Sequence, residues 1–229
     1  MKKLYKIEHY GKDKQDWLKH RGYGGSSVSA LFGKNKYKNS LDIYCAAINP
    51  TEEKQSKETS STIYGHSAEK PIAEIFALHH PEYQLIYPED IVMYRRIDKP
   101  FMTYTPDAEL IELETGRKGI YEGKTRVVQG KQEADEWRAG ILPEMYVLQV
   151  LQGFAVKNDA KFIDLCVELI FIDYDTGKWA SSEIRSFHLE RKKCKKGIRA
   201  VEEVQTDFEL NHIQSRIPPD VEIEIEYEE

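Results

Sequence analysis

The sequence predicts a single α/β domain in which helices flank a central mixed β-sheet. Helical segments come first, a run of short β-like segments follows, and one helix separates that run from two further strands. At 229 residues the chain is long enough to bury one core. It shows no internal repeat and no dividing linker. We therefore interpret residues 1–229 as one domain that ends in an acidic tail over about residues 220–229.

Six segments have helical patterns, in which apolar residues recur every three or four positions. Ser40 is expected to cap the third helix, because Ser is a favoured N-cap. In the fourth, Ile72, Ile75, Phe76 and Leu78 form the expected apolar face. In chain order the segments are 12–20, a short helix capped by a Ser after the "GYGG" turn, 40–48, 67–80, 142–158 and 192–212.

Six further segments have strand-like patterns rich in β-branched and aromatic residues. A turn at Gly116 is expected to join the third and fourth strands as a hairpin. In chain order the strands are 83–87, 90–97, 101–113, 118–128, 162–172 and 179–189. The polar segment 49–62 between the helices is predicted to be a loop.

Composition favours a cytoplasmic protein. No apolar run reaches the roughly 18 residues needed to span a bilayer, and the N-terminus lacks the apolar region of a signal peptide. The three cysteines, Cys45, Cys166 and Cys194, are far apart. Their spacing excludes a C-x-x-C metal site, and their odd number argues against a disulfide framework.

The net charge of -6 does not decide whether the partner is a nucleic acid. Six acids in the tail account for the whole imbalance, so the rest of the chain is close to neutral. The basic runs at 191–199 and 34–38 could each contact a phosphate backbone or simply form a solvated surface. The alternating tail could be an edge strand, a subunit contact or a disordered end.

The stretch "YEGKT" places Glu122 and Lys124 two positions apart, so on a strand their side chains leave the same face. A hairpin turn at Gly116 would bring Asp107, at the start of the preceding strand, beside Glu122. Two converging carboxylates suit Mg²⁺, and a neighbouring lysine can orient the attacking water. The pattern favours phosphodiester hydrolysis, with a solvated surface ion pair as the alternative.

Five short motifs carry a resemblance to a known family. They are "WLKHRGYGGSS", "YGHSAE", "TPDAEL", "YEGKT" and "PEMYVLQVLQ", which run from about Trp17 to Gln152. Their order and spacing resemble the phage lambda exonuclease/YqaJ family of viral recombination nucleases, which belongs to the PD-(D/E)xK superfamily. The resemblance implies the PD-(D/E)xK nuclease core, a central mixed β-sheet flanked by helices.

The resemblance also implies roles for residues of the "TPDAEL" and "YEGKT" motifs. Asp107 and Glu122 correspond to the metal-binding carboxylates, and the carbonyl of Gly123 is a further candidate ligand. Lys124 resembles the catalytic lysine that handles the attacking water.

Two helix residues match the family's active site as well. Glu69 corresponds to the helix glutamate that approaches the metal, with a surface acid as the alternative reading. Gln149 corresponds to the active-site glutamine, whose amide could orient water or a phosphate oxygen. Its alternative reading is a partly buried helix amide.

The first motif resembles the family's pocket for a 5′-terminal phosphate. Arg21 offers a planar fork that matches phosphate oxygens, and Ser26 adds a hydroxyl donor. Thr105 stands where the family often has a serine near the same phosphate. The spacing between Arg21 and the "GGS" element is shorter than is usual in the family. Lys19 and His20 are therefore alternatives for the phosphate-binding base.

As implied by the resemblance, the protein is a phage- or prophage-encoded exonuclease that requires Mg²⁺, with Mn²⁺ as an alternative. It digests one strand of linear double-stranded DNA from a 5′ end, releases mononucleotides and leaves a 3′ overhang. The expected partners are DNA ends, a single-strand annealing protein and further copies of the chain in a ring-shaped trimer. Two alternatives stay open, a non-catalytic DNA-end-binding protein on a nuclease fold and a PD-(D/E)xK endonuclease.

Overall fold

The structure, a computed structural model, describes residues 2–49, 59–173 and 176–220. The acidic tail after Asp220 and residues 50–58 of the predicted loop 49–62 lie outside these ranges, so those expectations are not tested. Residues 60–62 of that predicted loop are helical, so for them the prediction was wrong. Within the same ranges no helix combines the length and apolar character needed to cross a bilayer.

The described α-helices follow the predicted order, with one addition. They are α1 (Lys14–His20), α2 (Gly25–Leu31), α3 (Ser40–Ile48), α4 (Ser60–His79), α5 (Gly130–Arg138), α6 (Glu144–Val156) and α7 (Lys195–Phe208). A short 3₁₀ turn over Arg191–Lys193 precedes α7, and a π-helical turn over Glu209–Gln214 follows it. These turns divide the predicted terminal helix 192–212 into three pieces.

The strands form two sheets in the described residues. They are β1 (Tyr5–His9), β2 (Tyr83–Ile86), β3 (Val92–Arg96), β4 (Thr103–Tyr104), β5 (Ala108–Glu112), β6 (Lys118–Val127), β7 (Phe162–Ile172) and β8 (Trp179–Glu190). The small sheet has the order β1-β3-β4, and the large sheet has the order β2-β5-β6-β7-β8. In the large sheet only β6 and β7 run parallel, and the other neighbours are antiparallel. The predicted mixed sheet is therefore confirmed.

Helices cover both faces of the large sheet. On one face, α6 contributes Val150 and Phe154 to the main core, where they join Ile120 and Leu165 of the sheet. On the other face, α4 packs through Ala68, Ile72 and Phe76 against a second cluster that includes Tyr121 and Phe162. This three-layer arrangement leaves β6 between two helices.

Two elements were missed by the sequence analysis, and both have a weak apolar signal. Strand β1 is an edge strand of the small sheet, where Tyr5 alone is buried. Helix α5 buries only Ala134 and Trp137 and is otherwise charged or polar. Periodicity detects elements with a continuous apolar face, and neither element has one.

The predicted strand 101–113 was wrong as a single unit. It divides into β4 and β5, which belong to different sheets. Pro106 lies at the break and has no backbone N–H to continue a ladder. The division places Asp107 on the turn that enters β5.

Two details of the predicted helices were also wrong. Asn39, not Ser40, caps α3, because the Asn39 side chain accepts from the Asp42 N–H at 3.0 Å and Asp42 reciprocates at 2.9 Å. In α4, Ile75 and Leu78 are 36% and 80% exposed and lie outside the buried face. Small residues such as Ala68 and Ala73 complete that face instead.

A buried amide fixes α6 in relation to the small sheet. The Gln152 Nε2 donates to the carbonyls of Tyr23 and Thr103 at 2.8 and 3.0 Å. The Gln205 Nε2 of α7 in turn donates to Gln152 Oε1 at 2.8 Å. A buried polar group that loses its hydrogen-bond partner lowers the stability of the fold. Movement of α6 would break these bonds, so the network fixes the position of α6 against the small sheet.

Gln152→Leu should lower the free energy of unfolding by about 2–4 kcal/mol, since buried carbonyls and the Gln205 amide lose their partners. Chemical denaturation followed by circular dichroism measures the change. Gln132→Leu on the exposed face of α5 is the matched control and should shift stability by less than about 0.5 kcal/mol. Equal, small shifts for both variants would contradict a structural role for the Gln152 network.

Candidate active site

The β5–β6 pairing brings the two predicted carboxylates together. Ala108 of β5 lies opposite Tyr121 of β6, so the residues next to this pair, Asp107 and Glu122, are neighbours. The Gly123 N–H donates to Asp107 Oδ2 at 2.8 Å and holds that side chain against β6. The convergence expected from the hairpin is therefore present.

Glu122 is an enclosed carboxylate that receives hydrogen bonds from three elements. It is 1% exposed. Its donors are the Tyr104 hydroxyl of β4, the Gln149 amide of α6 and the Lys124 Nζ of its own strand, the last at 2.7 Å. A buried charge needs this kind of compensation, because water cannot solvate it.

Lys124 lies within reach of three oxygen-bearing groups. Its Nζ is 2.7 Å from Glu122 Oε1, 2.9 Å from the Gly123 carbonyl oxygen and 3.6 Å from Asp107 Oδ2. Burial disfavours the charged form of Lys124. The nearby carboxylates of Asp107 and Glu122 outweigh burial and raise the pKa of the ammonium above its ordinary value. Lys124 is thus a positively charged donor in this arrangement.

The two carboxylates influence each other's ionisation. Burial and then the charge of Asp107 raise the pKa of Glu122 to about 7, although Lys124 and Tyr104 oppose the shift. One ammonium faces two carboxylates, so the ionised cluster has excess negative charge and a further cation would be stabilised there. The oxygen atoms of Asp107, Glu122 and the Gly123 carbonyl are the hard ligands that Mg²⁺ or Mn²⁺ prefers.

Glu69 does not join this cluster directly. On α4 it pairs with His66 at 3.2 Å, and both residues line a cavity that Gly123 and Lys124 also line. In the described parts of the chain, no three His, Cys, Asp or Glu side chains converge on one point that could hold a metal. Glu69 and the centre thus share one cavity, and the metal role of Glu69 stays a prediction.

Helix α2 supports the position of Gln149. The helix begins at Gly25 with Gly24 as its N-cap, without a side-chain cap, so the expected Ser cap was wrong. A Cβ on Gly25 would lie 2.5 Å from Gln149 Cγ. Only glycine allows α2 to approach α6 this closely while the Gln149 amide reaches Glu122.

The predicted phosphate-binding residues form a second cluster around Trp17. Arg21 Nη2 donates to Ser26 Oγ at 3.3 Å, and the guanidinium lies 5.0 Å from the centroid of the Trp17 ring. The Trp17 Nε1 donates to Thr105 Oγ1 at 3.2 Å. Thr105 precedes Asp107 by two residues, so this cluster adjoins the carboxylates.

The alternative bases for the phosphate differ in where they lie. Lys19 lines a cavity of about 290 Å³ together with Arg21 and Ser26. The His20 ring faces Asp16 instead, at 3.3 Å between Nδ1 and Oδ1. The geometry favours Arg21, with Lys19 as a neighbouring charge.

Sequence reasoning missed Tyr104 and Gly25 as parts of the site. Tyr104 lies on a two-residue strand of the other sheet, and its direction depends on how the two sheets meet. The packing role of Gly25 depends on the distance between α2 and α6. Neither property leaves a local pattern in the sequence.

The chain is an α/β domain whose site pairs two carboxylates with a lysine, and this chemistry suits phosphodiester hydrolysis. The YqaJ-like viral recombinase domain matches residues 16–160, and the chain belongs to this family. No curated protein matches the chain significantly. Membership of this family indicates a nuclease that acts on DNA.

Solved structures share the fold at low sequence identity. LHK-Exo in complex with dAMP has a TM-score of 0.54 and 12% identity, covering 89% of this chain and 98% of that chain. A second structure of this alkaline exonuclease, from Laribacter hongkongensis, gives a TM-score of 0.53 with the same identity and coverage. A phage-related exonuclease from Haemophilus somnus 129PT gives 0.50 at 14% identity, covering 91% and 97%.

Gly25→Ala should displace Gln149 from Glu122, because the new Cβ would overlap the Gln149 side chain. We expect DNA cleavage to fall about ten- to a hundredfold through misplacement at the centre. Steady-state nuclease assays on linear DNA measure the change. In a Gln149→Ala background the same substitution should have little further effect. An equal loss in both backgrounds would contradict the proposed contact.

Proposed function

We propose that the protein is a Mg²⁺-dependent exonuclease that digests one strand of linear double-stranded DNA from its 5′ end. It would release mononucleotides and leave a 3′ single-stranded overhang. The observation that carries the proposal is the adjacency of two clusters. The Asp107, Glu122 and Lys124 cluster suits phosphodiester hydrolysis, and the Arg21, Ser26 and Thr105 cluster beside it suits a terminal phosphate.

Asp107, Glu122 and the Gly123 carbonyl would hold the metal, and the fit rests on their oxygen chemistry and excess negative charge. When bound, Mg²⁺ would act as a Lewis acid that stabilises the charge developing on the phosphoryl oxygens. Manganese offers the same chemistry with the same ligand preference.

The chain's own residues would position the reacting groups. The Lys124 ammonium can donate to a non-bridging phosphate oxygen or to the attacking water, because it already lies among the oxygens of the centre. The Gln149 amide fixes Glu122, and a phosphate oxygen could share that donor. Attack of water on phosphorus forms one P–O bond and breaks the bond to the 3′ oxygen, which takes up a proton.

The Arg21 cluster would set the direction of digestion. Arg21 and Ser26 can donate to a 5′-terminal phosphate while the next phosphate of the strand lies at the carboxylates. Cleavage of the P–O3′ bond releases a 5′-mononucleotide and leaves a new 5′-phosphate on the remaining strand. Each product strand therefore carries the group that the cluster binds.

We also propose a homo-oligomeric ring, expected to be a trimer, that hands its 3′ strand to a single-strand annealing protein. The near-neutral body of the chain supports this arrangement, because a ring can gather basic residues on its inner wall without a high total charge. Sedimentation of the purified protein with and without DNA measures the subunit number.

Purified protein with Mg²⁺ should degrade linear duplex and leave covalently closed circular duplex intact. Lys124→Ala should slow cleavage by about 10²–10⁴-fold yet keep metal binding, whereas Asp107→Ala should lose both. Gel assays and calorimetric titration with Mg²⁺ measure these effects, and Lys131→Ala on α5 is the charge-matched control. Nicking of the circle would instead indicate an endonuclease, and no cleavage with intact end binding would indicate a non-catalytic protein.

Arg21→Ala should slow digestion of 5′-phosphorylated ends about ten- to a hundredfold and 5′-hydroxyl ends much less, because charge-assisted hydrogen bonds to the phosphate are lost. Rates on matched duplexes that differ only in the terminal group measure the difference. Lys19→Ala, carried through the same comparison, tests the alternative base. Equal slowing of both ends by Arg21→Ala would remove this residue from the phosphate site.

A further inference from the structure

A cavity of about 550 Å³ opens beside the reaction centre on the α4 side of the large sheet. Gly123 and Lys124 line one end of it, and Ile170 and Ile172 of β7 are part of its apolar wall. Its size lies in the range typical of small-molecule sites. None of Arg21, Ser26 and Thr105 lines it, so it lies apart from the proposed phosphate cluster.

An aromatic pair forms one wall of this cavity. Trp179, at the start of β8, is 48% exposed, and its ring packs edge-to-face on Tyr64 of α4 with centroids 5.0 Å apart. The Tyr64 hydroxyl donates to Glu168 Oε2 at 2.7 Å. Glu168 lies on β7 and is 8% exposed, so its carboxylate is a fixed anchor. Tyr64 is thereby held in place, and it supports the Trp179 ring from the side.

Trp179 has no packing role in the hydrophobic core, because it belongs to none of the buried clusters of the described residues. Trp137, by comparison, is 1% exposed and belongs to the main core. Within the described part of the chain, Trp179 and Tyr37 are the aromatic residues among the exposed large hydrophobic ones. A half-exposed indole on a supported wall presents a flat apolar surface to whatever occupies the cavity.

A nucleobase has the matching chemistry. It has two flat apolar faces for stacking on an aromatic ring and a polar edge for hydroxyl groups. Ser60 and Ser61 of α4 supply such hydroxyls along the cavity. Hydroxyls can both donate and accept, so they would tolerate any base.

We propose that Trp179, supported by Tyr64, is the stacking platform for the base of the nucleotide on the 3′ side of the scissile phosphate. This inference rests on the proposed exonuclease function. With the terminal phosphate at Arg21 and the scissile phosphate at the carboxylates, the following nucleotide lies past the centre. The cavity, which shares Gly123 and Lys124 with the centre, receives its base there. Stacking at this position holds the remaining strand while the mononucleotide leaves.

A binding experiment tests the stacking without requiring cleavage. A 5′-phosphorylated duplex carries 2-aminopurine as its second nucleotide, and protein is added in metal-free buffer. Stacking should quench the probe's fluorescence. Trp179→Ala should lose the quenching, Trp179→Phe should retain most of it, and the same probe at the sixth nucleotide should respond equally to all three proteins. Quenching that is unchanged in Trp179→Ala would overturn the proposal.

A kinetic experiment tests the same contact during digestion. Trp179→Ala should raise KM for the first cleavage about tenfold and change kcat little, because a stacked base contributes mainly to binding. An abasic second nucleotide should raise KM of the wild-type protein similarly, with no further effect in Trp179→Ala. Leu78→Ala, which truncates an 80% exposed residue at the far end of α4, is the control and should match the wild type. Equal abasic penalties in wild type and Trp179→Ala would show that Trp179 does not contact that base.

The two proposals fail separately. Quenching that depends on Trp179 without any cleavage would retain the platform and reject the exonuclease. Normal digestion of linear DNA by Trp179→Ala, with an unchanged KM, would retain the exonuclease and reject the platform.

Discussion

The structure depends on holding one buried carboxylate next to another carboxylate. Glu122 lies on a strand that is covered on both faces, and Asp107 is held beside it by the Gly123 N–H. Such a pair is unfavourable unless donors or cations compensate it. The compensation comes from the Tyr104 hydroxyl, the Gln149 amide and the Lys124 ammonium, one from each of three elements.

This requirement explains why the elements around β6 are packed so closely. Helix α6 must lie near enough for Gln149 to reach Glu122, and the Gln152 amide fixes it there against the carbonyls of Tyr23 and Thr103. Thr103 precedes Tyr104, so the same contact also sets the strand that carries the tyrosine donor. The hydrogen bonds of Gln152 therefore contribute to the stability of the fold and also position the residues that donate to Glu122.

The parts of the site that could be predicted from sequence are those set by local geometry. A hairpin places Asp107 beside Glu122, and strand periodicity places Lys124 on the same face, so a few consecutive residues contain the information. The contacts of Tyr104 and Gly25 could not be predicted, since they depend on how separate elements dock. The same distinction applies to the fold. Strongly periodic segments such as α6 were found, whereas β1 and α5, which bury few residues, were not.

The parallel pairing of β6 and β7 has a consequence for how the chain folds. Residues 128–161, which include α5 and α6, form the crossover between these strands. Closing such a long connection costs conformational entropy before any pairing is gained, so this step is expected late in folding. The helix that carries Gln149 lies within the crossover itself. We therefore expect Asp107 and Glu122 to come together early in folding, when the β5–β6 hairpin forms. The complete active site should form later, when the crossover docks on the sheet. Pulse-labelling hydrogen exchange that showed β7 protected before the β5–β6 hairpin would contradict this order.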